Sequence, residues 1–344
     1  MTTITLAHGN GGRLMRQLIE EVFAAQLGGP AGSDALPNHL FTPLNTQVDA
    51  ASLPALHGAL MMTVDSFTVS PLEFPGGSIG SLAIHGTVND LAVSGAVPRF
   101  LSLSAIIEEG LELDTLQRII RDLAAAAREA QVQIVCGDTK VVPRGEGSGV
   151  YLTTTGIGER RPDLQLGLAL IREGDRLLVS GPVGDHGAAI LLAREQFGLQ
   201  GDLPSDARNV LALCQALYDL PGLRFMRDPT RGGLATVMHE IQQATGLGIR
   251  LQQAQIPVHE TVQSVCEILG YDPLFMACEG RVVAVVAAAQ AEEALARWQA
   301  LDDGREARSI GHITAAPPRV VLVTELGGER VLQELEDDPL PRIC

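Results

Sequence analysis

Apolar residues recur along the first 160 positions of the chain in short runs and in longer segments of small residues. The run 60–69 (LMMTVDSFTV) is rich in apolar and β-branched residues and predicts a strand, which the turn-forming PLEFPGG ends. A helix of small residues is predicted from Ser78 to about Ser94. Similar patterns predict strands at 100–107, 133–136 and 150–156, and a helix at 114–130 with Asp114 as its N-cap.

The pattern starts again after the polar stretch 159–168, which contains a proline. Strands are predicted at 176–180, 281–287 and 319–323, and helices from Asp185 and at 206–217, 230–245 and 291–301. Strands and helices alternate without the strict rhythm of a doubly wound sheet, so we expect an α+β fold. The expected domains are 1–160 and 161–334, followed by a flexible tail at 335–344 that carries Cys344.

Composition and charge exclude two classes of partner, nucleic acids and membranes. The 344 residues are 46% hydrophobic and carry a formal net charge of −16, whereas nucleic-acid binding needs a basic stripe. No apolar run approaches the roughly 20 residues of a membrane-spanning helix. The five cysteines are odd in number, show no CxxC spacing and follow no signal peptide, which predicts a reduced, cytoplasmic protein.

Four aspartates have apolar residues or glycines as neighbours: Asp65 in TVDSF, Asp90 in GTVNDLAVSG, Asp138 in VCGDTK and Asp228 in DPTRGG. An unpaired carboxylate in such surroundings is costly. Each one alone is as readily an N-cap or a turn residue, whereas four together favour a shared cation. Mg²⁺ takes carboxylate oxygens and keeps substrate phosphates among its ligands, so an acidic protein can still bind a nucleotide.

Two glycine-rich segments precede predicted helices and could offer backbone N–H groups to phosphates. Residues 8–12 (HGNGG) lead into a helix with Arg13 and Arg16 in its first turn, and residues 230–233 (TRGG) open another helix. The first segment could equally be a flexible arm. Neither a P-loop sequence nor a GxGxxG fingerprint occurs, so any nucleotide site must be built differently.

Lys140 and Glu279 are candidate catalytic groups. Lys140 follows Asp138 by two residues and would point to the same side of an extended segment, where it could neutralise a phosphate. A surface lysine is the simpler interpretation. Glu279 lies among apolar residues directly before a predicted strand, where burial can raise its pKa and make it a base near neutrality. An ion pair with Arg281 is the alternative.

The chain ends in a cysteine, Cys344, preceded by Pro-Arg-Ile. Prenylation is excluded, because that modification requires three residues after the cysteine. The position could be due to chance, yet a thiol on a flexible tail is well suited to carrying a group between sites. From residue 335 onward the chain could span up to about 30 Å when extended.

Together these segments resemble one family. LAHGNGG, FPGGSIGSLAIHGTVNDLAVSGAVPR, GDTKVVPRG, SGPVGDHGA, RDPTRGG, CEGRVV and PRIC run from residue 6 to residue 344 in the order found in the HypE family of hydrogenase expression/formation proteins. The PRIC end together with GDTKVV is highly specific. The glycine motifs are shared more loosely with aminoimidazole ribonucleotide synthetase, selenophosphate synthetase and thiamine-monophosphate kinase.

The resemblance implies a two-domain α+β fold of the aminoimidazole ribonucleotide synthetase (PurM) type, whose N-terminal domains pair in a homodimer. It implies ATP and Mg²⁺ in the cleft between the domains and against the dimer interface. A carbamoyltransferase, HypF, would load a carbamoyl group onto Cys344. The family dehydrates this thiocarboxamide to a thiocyanate with ATP and passes the cyanide to iron on a HypC–HypD complex, for nickel–iron hydrogenase.

The resemblance also implies a role for each candidate residue. The expected catalytic residues are Cys344, Glu279 as the base that takes a nitrogen proton, and Lys140 as a stabiliser of phosphoryl charge. Residues 8–12 would cover the phosphates as a lid. The expected metal ligands are Asp65, Asp90, Asp138 and Asp228. The expected nucleotide ligands are Gly9, Asn10, Gly11, Gly12, Asn89, Thr139, Thr230, Arg231 and Gly232.

Two other functions remain open at this point. An enzyme of the same fold could act on a free small molecule, and it would not need the terminal cysteine. A non-catalytic carrier could merely present Cys344 to partners, and it would need neither the four aspartates nor Lys140 and Glu279.

Overall fold

Two large β-sheets, each packed against helices, and one small two-stranded sheet make up the described chain. The computed structural model describes residues 3–27, 50–194 and 203–335. In the first half, the strands are β1 (Ala59–Phe67), β2 (Glu73–Phe74), β3 (Gly77–Ser78), β4 (Ala96–Glu108), β5 (Gln133–Val142) and β6 (Val150–Arg160). The helices are α1 (Arg13–Leu18), which continues through a π-helical segment (Ile19–Ala24) into α2 (Ala25–Leu27), then α3 (Ile79–Val93) and α4 (Leu113–Glu129).

The first sheet has four strands in the order β1-β6-β4-β5, and helices α3 and α4 contribute to the core on one of its faces. Only β4 and β5 run parallel; the other neighbours are antiparallel. Helix α3 consists of small and apolar residues on all sides, and it is buried on nearly all sides. Helix α4 is amphipathic and buries Leu116, Ile119, Ile120 and Leu123, which recur at helical spacing along one face.

The other face of this sheet exposes apolar side chains along its edge strand β1. Leu60, Met62 and Val64 are 66%, 69% and 62% exposed. These residues alternate along the strand and therefore point to the same side of the sheet. The first sheet thus has a covered face against its helices and an uncovered face with an apolar row.

The second half contains a seven-stranded sheet. Its strands are β7 (Arg176–Val179), β8 (Leu223–Arg227), β9 (Gly248–Gln252), β10 (Val283–Val286), β11 (Arg308–Thr314), β12 (Val320–Val323) and β13 (Glu329–Val331). Its helices are α5 (Asp185–Ala193), α6 (Leu211–Gln215), α7 (Gly233–Thr245), α8 (Glu260–Leu269) and α9 (Ala291–Gln299). The strand order is β13-β12-β9-β11-β7-β10-β8, with only β12 and β9 parallel.

The central strands of this second sheet are buried on both faces. Val283 and Val285 pack into one apolar cluster with α7, whereas Ala284 and Val286 pack into another with Trp298 of α9. Successive side chains of a strand point to opposite faces of the sheet. A run without polar residues is therefore expected for a strand whose two faces are both covered by other elements.

The two halves share apolar contacts. Helix α5 and the first half contribute to the same core, since Ile190 and Leu191 cluster with residues of α3 and α4. Tyr218 donates a hydrogen bond from its hydroxyl to the carbonyl oxygen of Ala92 on α3 at 2.7 Å. No helix within the described ranges combines the length and apolar character required to cross a lipid bilayer.

Most elements predicted from the pattern are confirmed, and two predictions are wrong. Helix α4 begins at Leu113 after Glu112, so Asp114 lies inside its first turn and is not the N-cap. The helix predicted at 206–217 is reduced to Leu211–Gln215, because the Asp206 side chain instead accepts hydrogen bonds from the backbone N–H groups of Glu279 and Gly280. Strand β5 runs on to Val142, beyond the predicted end, in parallel register with β4.

Candidate functional site

Asp65 and Asp90 come together because helix α3 crosses closely over strand β1. A β-carbon on Gly86 of α3 would lie 3.6 Å from Oδ2 of Asp65, and Asp90 follows Gly86 by one helical turn. The hydroxyl of Thr63, two residues before Asp65 on β1, donates to Oδ2 of Asp90 at 2.7 Å. The two aspartates therefore face the same space, one from the strand and one from the helix.

Asp228 and Glu279 reach that space from the second half of the chain. Asp228 directly follows strand β8, Glu279 precedes strand β10, and the two strands are antiparallel neighbours with Arg227 opposite Val283. The antiparallel pairing places the end of β8 and the start of β10 at the same edge of the sheet. Both residues are buried.

These four carboxyl groups act on one another electrostatically. Burial, followed by the charge of Asp90, raises the pKa of Asp228 to about 7. Burial and then the charge of Asp228 raise the pKa of Glu279 well above its usual range. Burial is also the main cause that raises the pKa of Asp65, with Asp90 contributing. We call Asp65, Asp90, Asp228 and Glu279 the acidic cluster.

The acidic cluster fits a divalent cation bound partly through water or phosphate. A cation would relieve both the desolvation and the mutual repulsion that raise these pKa values. Within the ranges that the structure describes, no three His, Cys, Asp or Glu side chains converge enough to hold a metal on their own. Mg²⁺ commonly keeps several waters and binds through one or two carboxylates and substrate phosphates, so this arrangement suits Mg²⁺.

The start of helix α7 lies beside the acidic cluster. Arg231 is close enough to Asp65 for its charge to oppose the rise in the pKa of that carboxyl group. Gly232 and Gly233 have φ angles of +70° and +60°, and a β-carbon on Gly233 would overlap the carbonyl oxygen of Met276. Only glycine suits the close contacts of this turn.

The end of the described chain lies at the same helix. A β-carbon on Gly232 would lie 3.6 Å from a methyl carbon of Leu335, the last described residue. Leu332 is buried, and Glu334 accepts a hydrogen bond from Gln243 of α7 at 2.9 Å. The segment that leads to the C-terminus therefore starts beside the acidic cluster. Cys344 itself lies outside the described residues.

The remaining predicted residues form a second group on strand β5. Lys140 Nζ lies 3.6 Å from Asp138 Oδ2, and both side chains are more than half exposed. Thr139 between them is buried. Gly9 packs against β5, because a β-carbon there would lie 3.0 Å from Cβ of Val141. We call the loop 8–12 together with Asp138, Thr139 and Lys140 the β5 group.

Asp138 is not part of the acidic cluster within one chain. Strands β1 and β5 are the two edges of the first sheet. Three strand spacings separate them, or roughly 14 Å. Three of the four predicted metal ligands therefore come together, and Asp138 lies with Lys140 instead.

Two residues near Glu279 make contacts that the sequence did not predict. Arg281 lies 3.2 Å from Asp185 and 3.5 Å from Asp206, so these residues, and not Glu279, are its ion-pair partners. Asn89, a predicted nucleotide ligand, donates both of its amide hydrogens to backbone carbonyl oxygens, of Arg208 and Glu279. Its role as a nucleotide ligand stays a prediction. Asp206 has no local sequence signal, because its partners Glu279 and Gly280 lie more than 70 positions away along the chain.

Comparison with known proteins agrees with this geometry. Residues 47–159 match the family of AIR synthase related proteins, N-terminal domain, and residues 172–323 match the corresponding C-terminal domain. The carbamoyl dehydratase HypE of Azotobacter vinelandii is 45% identical over 99% of this chain and 97% of its own length.

Solved structures give the same result. A crystal structure of the hydrogenase maturation protein HypE in complex with ATP superposes with a TM-score of 0.91 at 40% identity, covering 99% of this chain and all of that chain. HypE from a HypE–HypF complex superposes with a TM-score of 0.78 at 40% identity, covering 92% of this chain and 99% of that chain. These likenesses confirm the expected two-domain α+β fold of the aminoimidazole ribonucleotide synthetase type. The chain therefore belongs to the HypE family of carbamoyl dehydratases.

Proposed function

We propose that this chain uses ATP to dehydrate a carbamoyl group on its own Cys344, which turns a thiocarboxamide into a thiocyanate. Family membership supports the reaction class, and a relative of this family has been crystallised with ATP. The observation that carries the proposal is the position of Leu335 beside Gly232, next to the acidic cluster. From that point the segment 336–344 has a reach of about 30 Å at roughly 3.4 Å per residue.

The chemistry requires a better leaving group and a base. The oxygen of an amide leaves poorly, whereas the same oxygen leaves readily as phosphate once it has received a phosphoryl group from ATP. Two N–H protons must then be removed to complete the nitrile. We assign Glu279 as the base for a nitrogen proton, since its buried carboxylate faces the same space as Asp65, Asp90 and Asp228.

The acidic cluster would bind the metal ion, and the glycine segments would bind the nucleotide. Asp65, Asp90 and Asp228 would hold Mg²⁺, which, when bound, neutralises phosphate charge and lowers the repulsion among these carboxylates. Thr230, Arg231 and Gly232 present an N-terminal helix end to phosphates. In the β5 group, Gly9, Asn10, Gly11, Gly12 and Thr139 would contact the nucleotide, with 8–12 as a lid, and Lys140 would stabilise charge on the transferred phosphoryl group.

We further propose that the working unit is a homodimer of the first sheets. Monomeric soluble proteins rarely expose contiguous apolar surface, and the row Leu60, Met62 and Val64 on β1 is such a surface. Pairing over this face would bring the β5 group of one protomer toward the acidic cluster of its partner. It would unite Asp138 and Lys140 with the other predicted residues, which the distance across one sheet does not allow.

Partners and location extend the proposal. A relative of this family has been crystallised as a HypE–HypF complex, which supports HypF as the partner that loads the carbamoyl group. A HypC–HypD complex would accept the cyanide for its iron. The four described cysteines are free thiols, which is compatible with a cytoplasmic location for this reaction.

The direct test starts from the carbamoylated protein and follows the loss of one water by intact-mass measurement after ATP is added. We expect Glu279→Gln to bind ATP but to dehydrate Cys344 at least about 10²-fold more slowly, because the base is lost. Cys344→Ala should bind ATP and accept no carbamoyl group. Glu293→Gln is the matched control, since Glu293 pairs with Arg297 on the surface helix α9.

The same measurement decides between the candidate functions. A wild-type dehydration rate in Glu279→Gln would show that Glu279 is not the base. A protein that keeps the carbamoyl group unchanged with ATP would be a carrier, and ATP-dependent activity on a free substrate after removal of 336–344 would indicate a small-molecule enzyme.

A further inference from the structure

The backbone of Glu279 is held on both sides of its Cα by side chains from distant parts of the chain. Its carbonyl oxygen accepts a hydrogen bond from Nδ2 of Asn89 at 3.1 Å. Its backbone N–H donates to Oδ1 of Asp206 at 3.1 Å. Asn89 belongs to helix α3 of the first half, and Asp206 to the irregular segment before helix α6 of the second half. The residue assigned as the base is therefore tied to both halves of the molecule.

Asn89 has its side chain fully engaged with backbone. It is 1% exposed, it also donates to the carbonyl oxygen of Arg208 at 2.9 Å, and its Oδ1 accepts from the N–H of Val210 at 2.9 Å. The next residue on α3 is Asp90 of the acidic cluster. Because a helix is rigid over one residue, Asn89 links the position of the Glu279 carbonyl group to the position of the Asp90 carboxylate.

Asp206 is a buried carboxylate whose oxygens are both used. Its Oδ2 accepts from the N–H of Gly280 at 3.3 Å and lies 3.5 Å from Nε of Arg281. Arg281 is itself anchored, since its Nε donates to the carbonyl oxygen of Pro182 at 2.8 Å. A β-carbon on Gly280 would overlap the carbonyl oxygen of Asp206, so glycine is needed for this close approach.

We propose that Asn89 and Asp206 are positioning residues that hold Glu279 at a fixed place relative to Asp90 for the dehydration step. This inference rests on the proposed function, in which Glu279 is the base. Neither residue needs to touch the substrate. A displacement of about 1 Å in a reacting group can slow a reaction on the order of 10²-fold, so a backbone hold on the base has a kinetic consequence.

Single substitutions separate positioning from nucleotide binding. We expect Asn89→Ser and Asp206→Asn to slow ATP-dependent dehydration of the carbamoylated protein by about 10- to 10²-fold, with the Kd for ATP changed less than about threefold. A large loss of ATP affinity at an unchanged saturated rate would instead make Asn89 a nucleotide ligand and overturn its positioning role. Since the two residues hold the backbone of Glu279 from different elements, either variant that folds tests the proposal.

Matched controls carry the same substitutions at residues whose side chains bond to groups other than the backbone of Glu279. Asn209→Ser should keep the wild-type rate, because the Asn209 side chain accepts from the N–H of Leu211 and serine can accept the same bond. Asp175→Asn changes another buried aspartate that accepts a backbone hydrogen bond, from Arg172, and pairs with Arg224. It is expected to lower the melting temperature without slowing the folded protein.

Double variants decide whether these residues act through Glu279. Asn89→Ser and Asp206→Asn should add no further slowing to Glu279→Gln, because a hold on an absent base has no effect. Multiplied losses would show a general structural role and reject the proposal. If Glu279→Gln alone keeps the wild-type rate, Glu279 is not the base and the positioning role is rejected with it. If Glu279→Gln is slow while Asn89→Ser and Asp206→Asn keep the wild-type rate, only the positioning role is rejected.

Discussion

Asp228 faces the carboxylates of Asp90 and Asp65, which belong to the other half of the chain. Burial and these charges raise its pKa to about 7, far above the ordinary value of 3.8. Between pH 3.8 and about pH 7, Asp228 holds a proton in the folded protein that it has lost in the unfolded chain. The stability contributed by this residue is therefore present at low pH and is lost as the pH rises toward 7.

At the residue scale, we predict that Asp228→Asn stabilises the protein without added cation, and more so at higher pH. Each pH unit of pKa difference corresponds to about 1.4 kcal/mol. The gain in free energy of unfolding should be near zero at pH 4, grow through the window up to pH 7, and reach a few kcal/mol at pH 8. Urea unfolding at these pH values measures it.

A surface aspartate provides the comparison. Asp163 pairs with Arg161 and is largely exposed. At each pH, the Asp163→Asn variant should therefore have nearly the same free energy of unfolding as the wild-type protein. A pH-independent effect of Asp228→Asn would show that Asp228 titrates normally in the folded state.

In the proposed homodimer, strand β1 would combine two roles at the element scale. One side of it carries Asp65 into the acidic cluster, while Leu60, Met62 and Val64 are exposed on the other side. The strand has a period of two, so a single segment can serve a site and an interface at once. This arrangement would make the completeness of the site depend on the association of two chains.

We predict that Met62→Lys converts the proposed dimer into a folded monomer, because a charge in the centre of an apolar interface would remain unpaired. The monomer should retain its fold, since the side chain is 69% exposed in the single chain. Light scattering after gel filtration measures the mass. Leu326→Lys is the matched control, as Leu326 is 99% exposed and lies outside the first sheet. A wild-type monomer, or a dimer that survives Met62→Lys, would contradict the assignment of this face.

The whole molecule places the acidic cluster where its two halves meet. Helix α3 brings Asp90, the edge of the second sheet brings Asp228 and Glu279, and the end of the described chain returns to the same place at Leu335. The apolar core shared by α3, α4 and α5 holds these parts together. Under the proposed function, the segment 336–344 would act as a tether for Cys344.

At this scale we predict that a longer tether is tolerated. Doubling the segment after Leu335 with inserted Gly and Ser residues adds about 0.6 kcal/mol of loop-closure cost, which is roughly threefold in rate. Dehydration of the carbamoylated protein, followed by intact mass, should slow by no more than this. Removing 336–344 should abolish carbamoylation and leave ATP binding unchanged. A loss well beyond tenfold on lengthening would show that the tail residues themselves position the cysteine.

Part of this organisation was predictable from local pattern. The amphipathic spacing of α4, the small-residue helix α3 and the apolar run of β1 each predict an element whose bounds the structure confirms to within a few residues. The residues of the acidic cluster could be singled out individually, because a carboxylate among apolar neighbours is unusual in any fold.

Other features depended on contacts between distant segments. The segment at 206–210 has a helical pattern, yet Asp206 is drawn away by the N–H groups of Glu279 and Gly280. Asp138 resembles the other three aspartates in its surroundings along the chain, yet it lies at the opposite edge of the first sheet. Arg281 follows Glu279 by two residues along the chain but pairs with Asp185 and Asp206.

The sequence by itself determined the family, the strongest helices and strands, and which residue types could carry the chemistry, because these follow from short-range periodicity and from motifs read in order. Only the tertiary structure decided which carboxylates share one space, which side chains hold Glu279, and where the C-terminal segment begins. Those outcomes depend on strand order and on helix crossings, which bring together residues far apart in the chain and which local pattern does not encode.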